Sequence, residues 1–564
     1  MSEHFYNPYQ FIPVDTTKAK GTVPYAQQKG GLKTTENKFA RHDYWHRDGV
    51  SGRITCILTA LSPLVVGGGQ VRGNTDQDAS TVEPYLDRDG KPTIPASSLR
   101  GMVASIAETV SQSSLRVLVQ AGAGVYSLRK PASDALTLKG RVCQVGQEGA
   151  YLQPLAGGAR LKINPMALQT LESIMRGLSA RENNPKEQRL KRQAILRKNI
   201  NSDQRGWDEK EGKALVLVGD ELFYDVEAGT GEVVELSYSS IWRKAVPGDL
   251  HAAFVRSAGK DSLPWNPERD VLTPAEALFG VVEDNPDENR RGGARNLAAR
   301  VRFTDAHALG EVQLEPSVPL KILNSPKPPS PAMYFGGQDG YIAKKDLDLN
   351  KHRPNGRKHY LPHPRSLQAI PTNHWQTHQT DRQHLHLICQ PIPKNTQFQF
   401  TVDFENLSQQ ELGLLLTALQ PAKEGNGSQF IHRLGLGKPI GLGHVVIRYQ
   451  VETINRQPAR YSVQGLREIG RYQPWGESPD RGLIDQNALA ALQQMSDPRN
   501  LMDRKTRQPI STVCYPFDSK NGQEAYNEDE GFKWFGTNDR TGKNSPAQAL
   551  KKIVAGQALP VLDS

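Results

Sequence analysis

Residues 94–101 read IPASSLRG, a Pro followed by two hydroxyl side chains and an Arg. Ser97 or Ser98 is suited to cap a helix, which we expect over about 99–119. The two hydroxyls, the free N–H groups of the helix start and the Arg100 guanidinium can converge on one phosphate. A simple helix cap with a surface Arg explains the same residues, so both interpretations stay open.

A second segment, residues 433–443, reads RLGLGKPIGLG. Glycine lets the backbone approach a ligand closely and turn its N–H groups toward anionic oxygens, while Arg433 and Lys438 supply positive charge. Pro439 follows the Lys, so the segment is not a Walker loop. It suits a phosphodiester chain, with an ordinary structural turn as the alternative. Its glycines are Gly435, Gly437, Gly441 and Gly443.

Apolar alternation places strands beside both segments, at 52–61, 397–404 and 445–451. A helix with one apolar face is predicted over 408–419, and a glycine loop over 65–69 follows the first strand. We therefore expect a strand, a glycine loop and a helix in the first half of a core, and a strand, a helix, a glycine loop and a strand in the second half. A βαββαβ core of the ferredoxin type can bring the loop after its first strand near the loop after its second helix.

The succession of predicted core strands and helices is interrupted in the middle of the chain, around a highly charged helical pattern at 174–198. We therefore predict an insertion there. Residues 324–382 are rich in Pro, His and Gly and are expected to form a long loop region. The predicted segments are an N-terminal arm (1–48), the first part of the core (49–123), the insertion (124–268), the second part of the core with the Pro- and His-rich region (269–451) and a C-terminal extension (452–564).

The overall charge favours a polyanionic partner. Among 564 residues, 70 are Lys or Arg and 60 are Asp or Glu, which gives a formal net charge of +10. A basic chain gains affinity for nucleic acid by releasing counterions. An ordinary basic soluble protein has the same composition, so charge alone does not decide between them.

The chain shows no sign of export or of a membrane partner. Its four cysteines have no paired spacing, which argues against a disulfide framework and against a Cys-based zinc site, and favours a cytoplasmic location. No window approaches the ~18 apolar residues of a spanning helix. The histidines between 324 and 386 fit no standard zinc spacing, so we predict no metal site from them.

Several motifs, taken in order, resemble the RAMP superfamily. The resemblance implies an α+β fold, a modified ferredoxin-like (RRM-related) RAMP core with a large insertion and a C-terminal extension. Within the superfamily, the chain resembles the backbone subunits of type III CRISPR effector complexes. The matching stretches are Gly67-Gly68-Gly69, 89–92 (DGKP), 94–101, 278–280 (LFG), 301–306 (VRFTDA) and 432–443.

The resemblance implies a ribonucleoprotein subunit of antiviral defence that holds guide RNA and the guide–target duplex. Its partners would be guide RNA, target RNA and other CRISPR effector subunits. The residues expected to bind RNA are Gly67, Gly68, Gly69, Ser97, Ser98, Arg100, Arg433, Gly435, Gly437, Lys438, Gly441 and Gly443.

The chain departs from the family pattern where active relatives carry a catalytic Asp. That position lies two residues before the Pro of a Pro-Tyr-Leu strand, here Pro84, and is occupied by Val82. Asp76, Asp78 and Glu83 are the candidate catalytic residues nearby, and Mg²⁺ would support cleavage by them. Solvated loop acids are the alternative interpretation, so the sequence leaves enzymatic activity open.

Two other activities stay as alternatives to a purely structural subunit. The first is a target-RNA endonuclease of the same complex, acting through the acidic loop. The second is a guide-RNA processing endoribonuclease, which needs a general-base His near the RNA, with His42 and His46 as candidates. A further departure, Ala96 where the family has Gly, leaves the helix start intact.

Overall fold

The fold mixes helices and sheets, as predicted, in a computed structural model of the chain. Contacts divide it into unit 1 (1–117, 254–342 and 353–564) and unit 2 (118–253 and 343–352). The structure describes residues 4–24, 40, 42, 46, 48–73, 78–118, 127–129, 135–146, 148–179, 207–208, 213–214, 216–240, 243–266, 269, 271–283, 296–323, 331–336, 340–367, 375–377, 383–422, 430–454, 472–502, 512–515, 534–538, 548–551, 553 and 555–563.

The principal elements, in chain order, are β1 (Tyr9–Ile12), β2 (Val50–Ala60), β3 (Gly67–Val71), β4 (Ser80–Pro84), β5 (Thr93–Ile94), α1 (Ala96–Val110), β6 (Leu138–Gly146), β7 (Gly149–Pro154), β8 (Leu161–Ile163), α2 (Pro165–Ser179), β9 (Glu221–Val226), β10 (Val233–Ser237), α3 (Leu250–Ala258), α4 (Pro274–Phe279), β11 (Val301–Phe303), β12 (Ala306–Ala308), β13 (Val318–Leu320), β14 (Arg357–Tyr360), β15 (Leu387–Cys389), β16 (Gln397–Leu407), α5 (Gln409–Leu419), β17 (His432–Arg433), β18 (His444–Ile454), β19 (Tyr472–Pro474) and α6 (Gln486–Ser496). Short strands lie at His4–Tyr6, Val23–Pro24, Ser127–Arg129, Trp207–Asp208, Lys213–Ala214, Arg243–Ala245, Val271–Leu272, Val281–Val282, Asn296–Leu297, Phe335–Gly336, Arg353–Pro354, Thr512–Val513 and Leu562–Asp563, and short helices at Pro331–Tyr334 and Pro364–Leu367.

The main sheet of unit 1 has the strand order β17-β18-β2-β16-β12-β5, with β11 also paired to β16 and β19 to β18. All of its pairings are antiparallel. The central strand β2 pairs with β16 on one side and with β18 on the other. The strands predicted at 52–61, 397–404 and 445–451 are thus confirmed as three neighbours in one sheet.

One face of this sheet shares a hydrophobic core with several helices. The side chains of β2 that alternate toward the core, Ile54, Cys56 and Leu58, are fully buried, and those of β16 follow the same pattern. They share one hydrophobic cluster with α1, α5 and α6. The helix α5 begins with a capping box between Ser408 and Glu411, as a Ser three residues before a Glu predicts. The predicted extension therefore contributes α6 to the core of unit 1.

The helix α1 starts earlier and ends earlier than the sequence predicts. It begins at Ala96 after Pro95, and neither Ser97 nor Ser98 caps it. The Ala96 N–H instead donates to Oδ1 of Asp305, at 2.7 Å. The helix ends at Val110 because the chain turns through a left-handed residue just beyond it. The predicted serine cap is therefore wrong, since a carboxylate distant in sequence takes its place.

Residues Gly67–Gly69 form part of a strand, so the predicted glycine loop there is wrong. They begin β3, which pairs antiparallel with β4. A Cβ atom on Gly67 would lie 2.6 Å from a methyl group of Val82, so the glycine permits a close approach between neighbouring strands. The region 324–382, predicted as a long loop, likewise contains β14, which pairs with β1.

Unit 2 is built on a closed barrel with the strand order β7-β8-β10-β9-β6. Four pairings are antiparallel and one, between β8 and β10, is parallel. Val142, Leu152, Leu222 and other inward side chains fill the barrel and pack with α2. The helical pattern predicted at 174–198 coincides with the end of α2, and the part from 180 onward lies outside the described residues.

Candidate nucleic-acid interface

The second glycine segment forms a tight loop between β17 and β18 that only glycine can build. Gly435, Gly437, Gly441 and Gly443 have φ angles of 77°, 69°, 96° and 73°, in the left-handed region. A Cβ atom on Gly435 would also collide with the carbonyl oxygen of Val65, and one on Gly443 with that of Leu434. The four glycines therefore fix the path of the loop.

This loop packs directly on the segment that follows β2. The N–H of Leu436 donates to the carbonyl of Val65 at 2.9 Å, and the N–H of Gly443 donates to the carbonyl of Pro63 at 3.0 Å. The expectation that the segment after the first core strand meets the loop after the second core helix is confirmed by these hydrogen bonds.

A cavity of about 430 Å³ opens beside the loop, within unit 1. It is bounded by α1, by β14 and by the glycine loop, with two residues of α6 at its margin. Its lining residues are Ser98, Gly101, Met102, Ser105, Ile106, Lys358, His359, Tyr360, Phe430, Ile431, His432, Arg433, Leu434, Gly435, Lys438, Leu492 and Ser496. We call it the cationic cavity.

Three cations converge in this cavity without an acidic partner among the described lining residues. Arg433 donates through Nη2 to the carbonyl oxygen of Lys438. Its Nε and Nη1 atoms are buried and have no hydrogen-bond partner among the described residues. Nζ of Lys438 donates to the carbonyl of Gly435 at 2.7 Å, while Nζ of Lys358 lies 4.1 Å from the centre of the Tyr9 ring.

The pKa values of these cations are lowered by burial, and no neighbouring carboxylate among the described residues offsets that effect. Burial lowers the pKa of Arg433 to about 9. Burial and the neighbouring Arg433 charge lower the pKa of Lys438 to about 8, and burial with the Lys438 charge does the same for Lys358. Buried charges are normally paired with opposite charge. The cavity is therefore suited to an anion that supplies the missing negative charge.

The neutral groups of the cavity stay neutral near pH 7. Burial lowers the pKa of His359 and of His432 to about 4, and it raises the pKa of Tyr360 to about 12. His359 is held in place by a 2.9 Å hydrogen bond between Nε2 and the Thr109 hydroxyl. The positive charge of the site is thus confined to two Lys and one Arg, and none of the neutral side chains offsets it.

The structure brings only part of the predicted helix-start site into the cavity. Ser98 lines it, whereas Ser97 points to solvent. Arg100 donates to the carbonyl of Phe279, and burial with the nearby Arg116 charge lowers its pKa. The first N–H of the helix is already bonded to Asp305. The predicted convergence of two hydroxyls, a helix start and Arg100 on one phosphate is therefore not seen.

The predicted residues between 67 and 83 that the structure describes do not line the cavity. Gly67, Gly68 and Gly69 are exposed in β3. Val82 is buried in β4 against Val65 and Leu320, so the position where relatives carry a catalytic Asp belongs here to a hydrophobic cluster. Glu83 is exposed, Asp78 is partly exposed, and Asp76 lies outside the described residues.

The contribution of β14 to the site was not predicted from the sequence. Lys358 and Tyr360 lie in a region predicted as loop, where basic and aromatic residues alternate with other types. Nothing in the local sequence placed these residues beside the glycine loop. The candidate bases His42 and His46 do not line the cavity: Nε2 of His42 bonds the carbonyl of Ala298 at 2.9 Å.

Two further features concern metals and membranes. Within the described ranges, no three His, Cys, Asp or Glu side chains are grouped so as to hold a metal ion. In the part of the chain that the structure covers, none of the helices combines the length and the apolar character needed to cross a lipid bilayer.

Several solved structures are similar to this chain, at very low identity. Csc2 of Thermofilum pendens has 10% identity and a TM-score of 0.23, over 79% of this chain and 85% of that chain. A chain of the type III-B Cmr-beta complex bound to cognate target RNA has 11% identity and a TM-score of 0.19, over 71% and 98%. A chain of a type IV-B CRISPR complex has 11% identity and a TM-score of 0.23, over 74% and 99%. At TM-scores this low, the similarities support no conclusion about the function of this chain.

The fold and the cavity define a mixed helix-and-sheet protein with a cation-lined cavity beside a glycine-rich loop. The family model of the RAMP superfamily matches residues 57–446, well over half of the chain. The chain therefore belongs to the RAMP superfamily. A search of curated proteins finds no match.

Proposed function

We propose that this chain is an RNA-binding backbone subunit of a type III CRISPR ribonucleoprotein effector, which holds guide RNA and the guide–target duplex in antiviral defence in the cytoplasm. In this proposal a phosphate of the guide RNA occupies the cationic cavity. Guide RNA, target RNA and other CRISPR effector subunits are its partners.

The observation that supports the proposal most is that one of the three guanidinium nitrogens of Arg433 has a hydrogen-bond partner among the described residues and the other two do not. An Arg with two buried, unpartnered N–H-bearing atoms is rare in a folded protein, because each one forfeits its hydration. Each of the two atoms can donate a charge-assisted hydrogen bond to a phosphate oxygen that enters the cavity. Lys438 and Lys358 then add two point charges to the same anion.

The strand order of the main sheet supports a modified ferredoxin-like core, related to the RRM. Taken along the chain, the strand–helix–strand–strand–helix–strand series is β2, α1, β11–β12, β16, α5 and β18. In the sheet these strands stand in the order fourth, first, third and second, all antiparallel. This is the order of a βαββαβ fold, and it supports the placement of RNA-binding loops at one end of the sheet.

Purification with the natural neighbouring subunits tests the proposal. The chain should retain short guide RNAs, which are extracted and sequenced. Replacing both cations, as Arg433→Ala with Lys438→Ala, should reduce the retained RNA at least tenfold. For single-stranded RNA it should lower the slope of log affinity against log salt by about 1.4, because two phosphate contacts are lost.

A matched control removes two cations that already have acidic partners. Lys18 bonds Asp15 at 3.3 Å, and Arg499 donates to Asp497 at 2.9 Å through Nε. The variant Lys18→Ala with Arg499→Ala changes the net charge equally and should retain RNA as the wild type does. If both double variants lost RNA equally, net charge alone would explain the loss. If no RNA co-purified with the wild-type chain, the proposed function would be rejected.

A further inference from the structure

The barrel of unit 2 has the connectivity of a known oligonucleotide-binding architecture. Its five strands, β6, β7, β8, β9 and β10, close in the order first, second, third, fifth and fourth. The third and fifth strands are parallel, and α2 lies between the third and fourth strands in sequence. These are the features of the OB fold, a five-stranded Greek-key barrel that binds single strands on the face of its second and third strands.

We propose that the outer face of β6, β7 and β8 binds single-stranded RNA. This site lies wholly within unit 2 and does not depend on the cationic cavity. The choice of RNA over DNA rests on the proposed function.

An aromatic residue lies at the centre of this face. In the register of the barrel, Tyr151 of β7 stands directly between Gln144 of β6 and Lys162 of β8. The guanidinium of Arg160, from the turn between β7 and β8, lies over the Tyr151 ring at 4.7 Å from its centre. We call this cation–π pair the platform, because aromatic rings and guanidinium groups are the surfaces on which bases stack in proteins that bind single strands.

The same face carries more positive than negative charge. Lys139, Arg141, Arg160 and Lys162 are exposed on it. Arg141 pairs with Glu221 at 2.6 Å and Lys162 with Glu232 at 3.0 Å. Lys139 and Arg160 lie instead over the aromatic rings of Phe223 and Tyr151, each at 4.7 Å. Two cations in excess are thus held beside aromatic rings, which is the combination that phosphates and unstacked bases recognise together.

The acidic residues of the barrel restrict the path of the strand. Glu148 and Glu227 are exposed in the turns that join β6 to β7 and β9 to β10. Phosphates are repelled there, so the RNA should pass over the part of the face that Tyr151, Arg160 and Lys139 mark out. A duplex presents no unstacked base to the platform and should bind more weakly than a single strand.

The test uses the full-length chain with Arg433→Ala and Lys438→Ala, so that the cationic cavity contributes no affinity. A fluorescein-labelled oligouridylate reports binding by anisotropy. In this background Tyr151→Leu should weaken binding about tenfold, and Tyr151→Phe should restore it because the stacking surface remains. Replacing Lys139 and Arg160 with Gln should lower the salt slope by about 1.4.

Lys351→Gln provides the matched control, since Lys351 is an exposed cation of unit 2 outside the barrel strands, and it should leave binding unchanged. Unchanged binding in Tyr151→Leu would overturn the proposal, as would equal affinity for duplex RNA. Preference for single-stranded DNA would overturn the choice of RNA. Loss of guide RNA from the cavity variant with retained oligouridylate binding separates this site from the proposed function, since the two sites then fail independently.

Discussion

Two buried arginines of unit 1 have opposite surroundings. Arg300, in the segment before β11, is fully buried, and all three of its guanidinium nitrogens donate: Nε and Nη2 to Ala277, Nη1 to Asn406, and Nη1 and Nη2 to the carboxylate of Glu411. Arg433 has one bonded nitrogen and two buried nitrogens without a partner among the described residues. All three guanidinium nitrogens of Arg300 therefore have hydrogen-bond partners within the protein, whereas two of those of Arg433 have none among the described residues.

The difference separates structural charge from ligand-binding charge. A buried ion pair that is fully hydrogen-bonded holds its neighbours in place, and loss of one member leaves the other uncompensated. A buried cation without an acid lowers stability until an anion arrives. Substitutions at the two arginines and at their neighbours test this distinction. The largest change in stability is expected at Arg300.

Removal of Arg300 should have the largest effect on stability. Arg300→Met leaves the buried Glu411 carboxylate unpaired and should lower the free energy of unfolding by about 3–5 kcal/mol in urea denaturation. The double variant Arg300→Met with Glu411→Met should recover most of that loss, because no uncompensated charge remains. A single variant as stable as the wild type would contradict the structural role.

The same substitution at Arg433 should have the opposite signature. Arg433→Met removes a charge-assisted contact to phosphate and should weaken guide-RNA binding roughly tenfold or more. Without RNA, the free energy of unfolding should be unchanged or higher, because an uncompensated buried charge is lost. A destabilisation as large as that of Arg300→Met would make Arg433 a structural residue and break the comparison.

The lowered pKa values of two Lys side chains predict that RNA affinity falls as pH rises, while the free energy of unfolding of the RNA-free protein increases. Lys358 and Lys438 have pKa values of about 8, below the ordinary Lys value, so RNA binding should weaken as pH rises through about 8. In the RNA-free protein the unfolded chain binds more protons than the folded chain above that pH. The free energy of unfolding should therefore rise with pH between about 8 and about 10.

Binding assays at constant ionic strength and thermal unfolding over the same pH range check both signs. Lys438→Met should weaken both pH dependences. Affinity that stays constant up to about pH 9 would show that the two Lys side chains do not contact the RNA.

The sequence predicted the core because its signals are local. Alternation in β2 and β16 and the apolar face of α5 each follow from a few neighbouring residues. The RAMP superfamily motifs then placed the two glycine-rich segments in one fold. Membership of that family is confirmed by the family model.

The site could be predicted only in part, because its other half comes from distant segments. Lys358 reaches the cavity through the pairing of β14 with β1, at the opposite end of the chain, and no periodic pattern announces that pairing. Gly67–Gly69 resembled a loop, yet they form a strand, and Gly67 lets β3 approach β4 because a Cβ there would lie 2.6 Å from a methyl group of Val82. The proposed roles of these glycines and of the acidic residues Asp76, Asp78 and Glu83 stay predictions.

The smallest expected effect concerns the start of α1, where sequence and structure disagree about the cap. Asp305 accepts from the Ala96 N–H, and its carboxylate already satisfies the helix start that a phosphate would otherwise occupy. Asp305→Ala should therefore lower the free energy of unfolding by about 1 kcal/mol and leave RNA affinity unchanged. Ser97→Ala should change neither quantity, because that hydroxyl caps nothing in the structure.

The two variants together decide between the two interpretations of residues 94–101. If Ser97 were the cap, its removal would cause the loss of about 1 kcal/mol and the removal of Asp305 would be silent. If the helix start bound a phosphate, Asp305→Ala would strengthen RNA binding, since a competing carboxylate would be gone. Asp305 accepts the hydrogen bond of the helix start, just as Glu411 pairs with Arg300. We therefore expect Asp305→Ala to change stability alone. The RNA phosphate should still bind at Arg433, which has two nitrogens without a partner among the described residues.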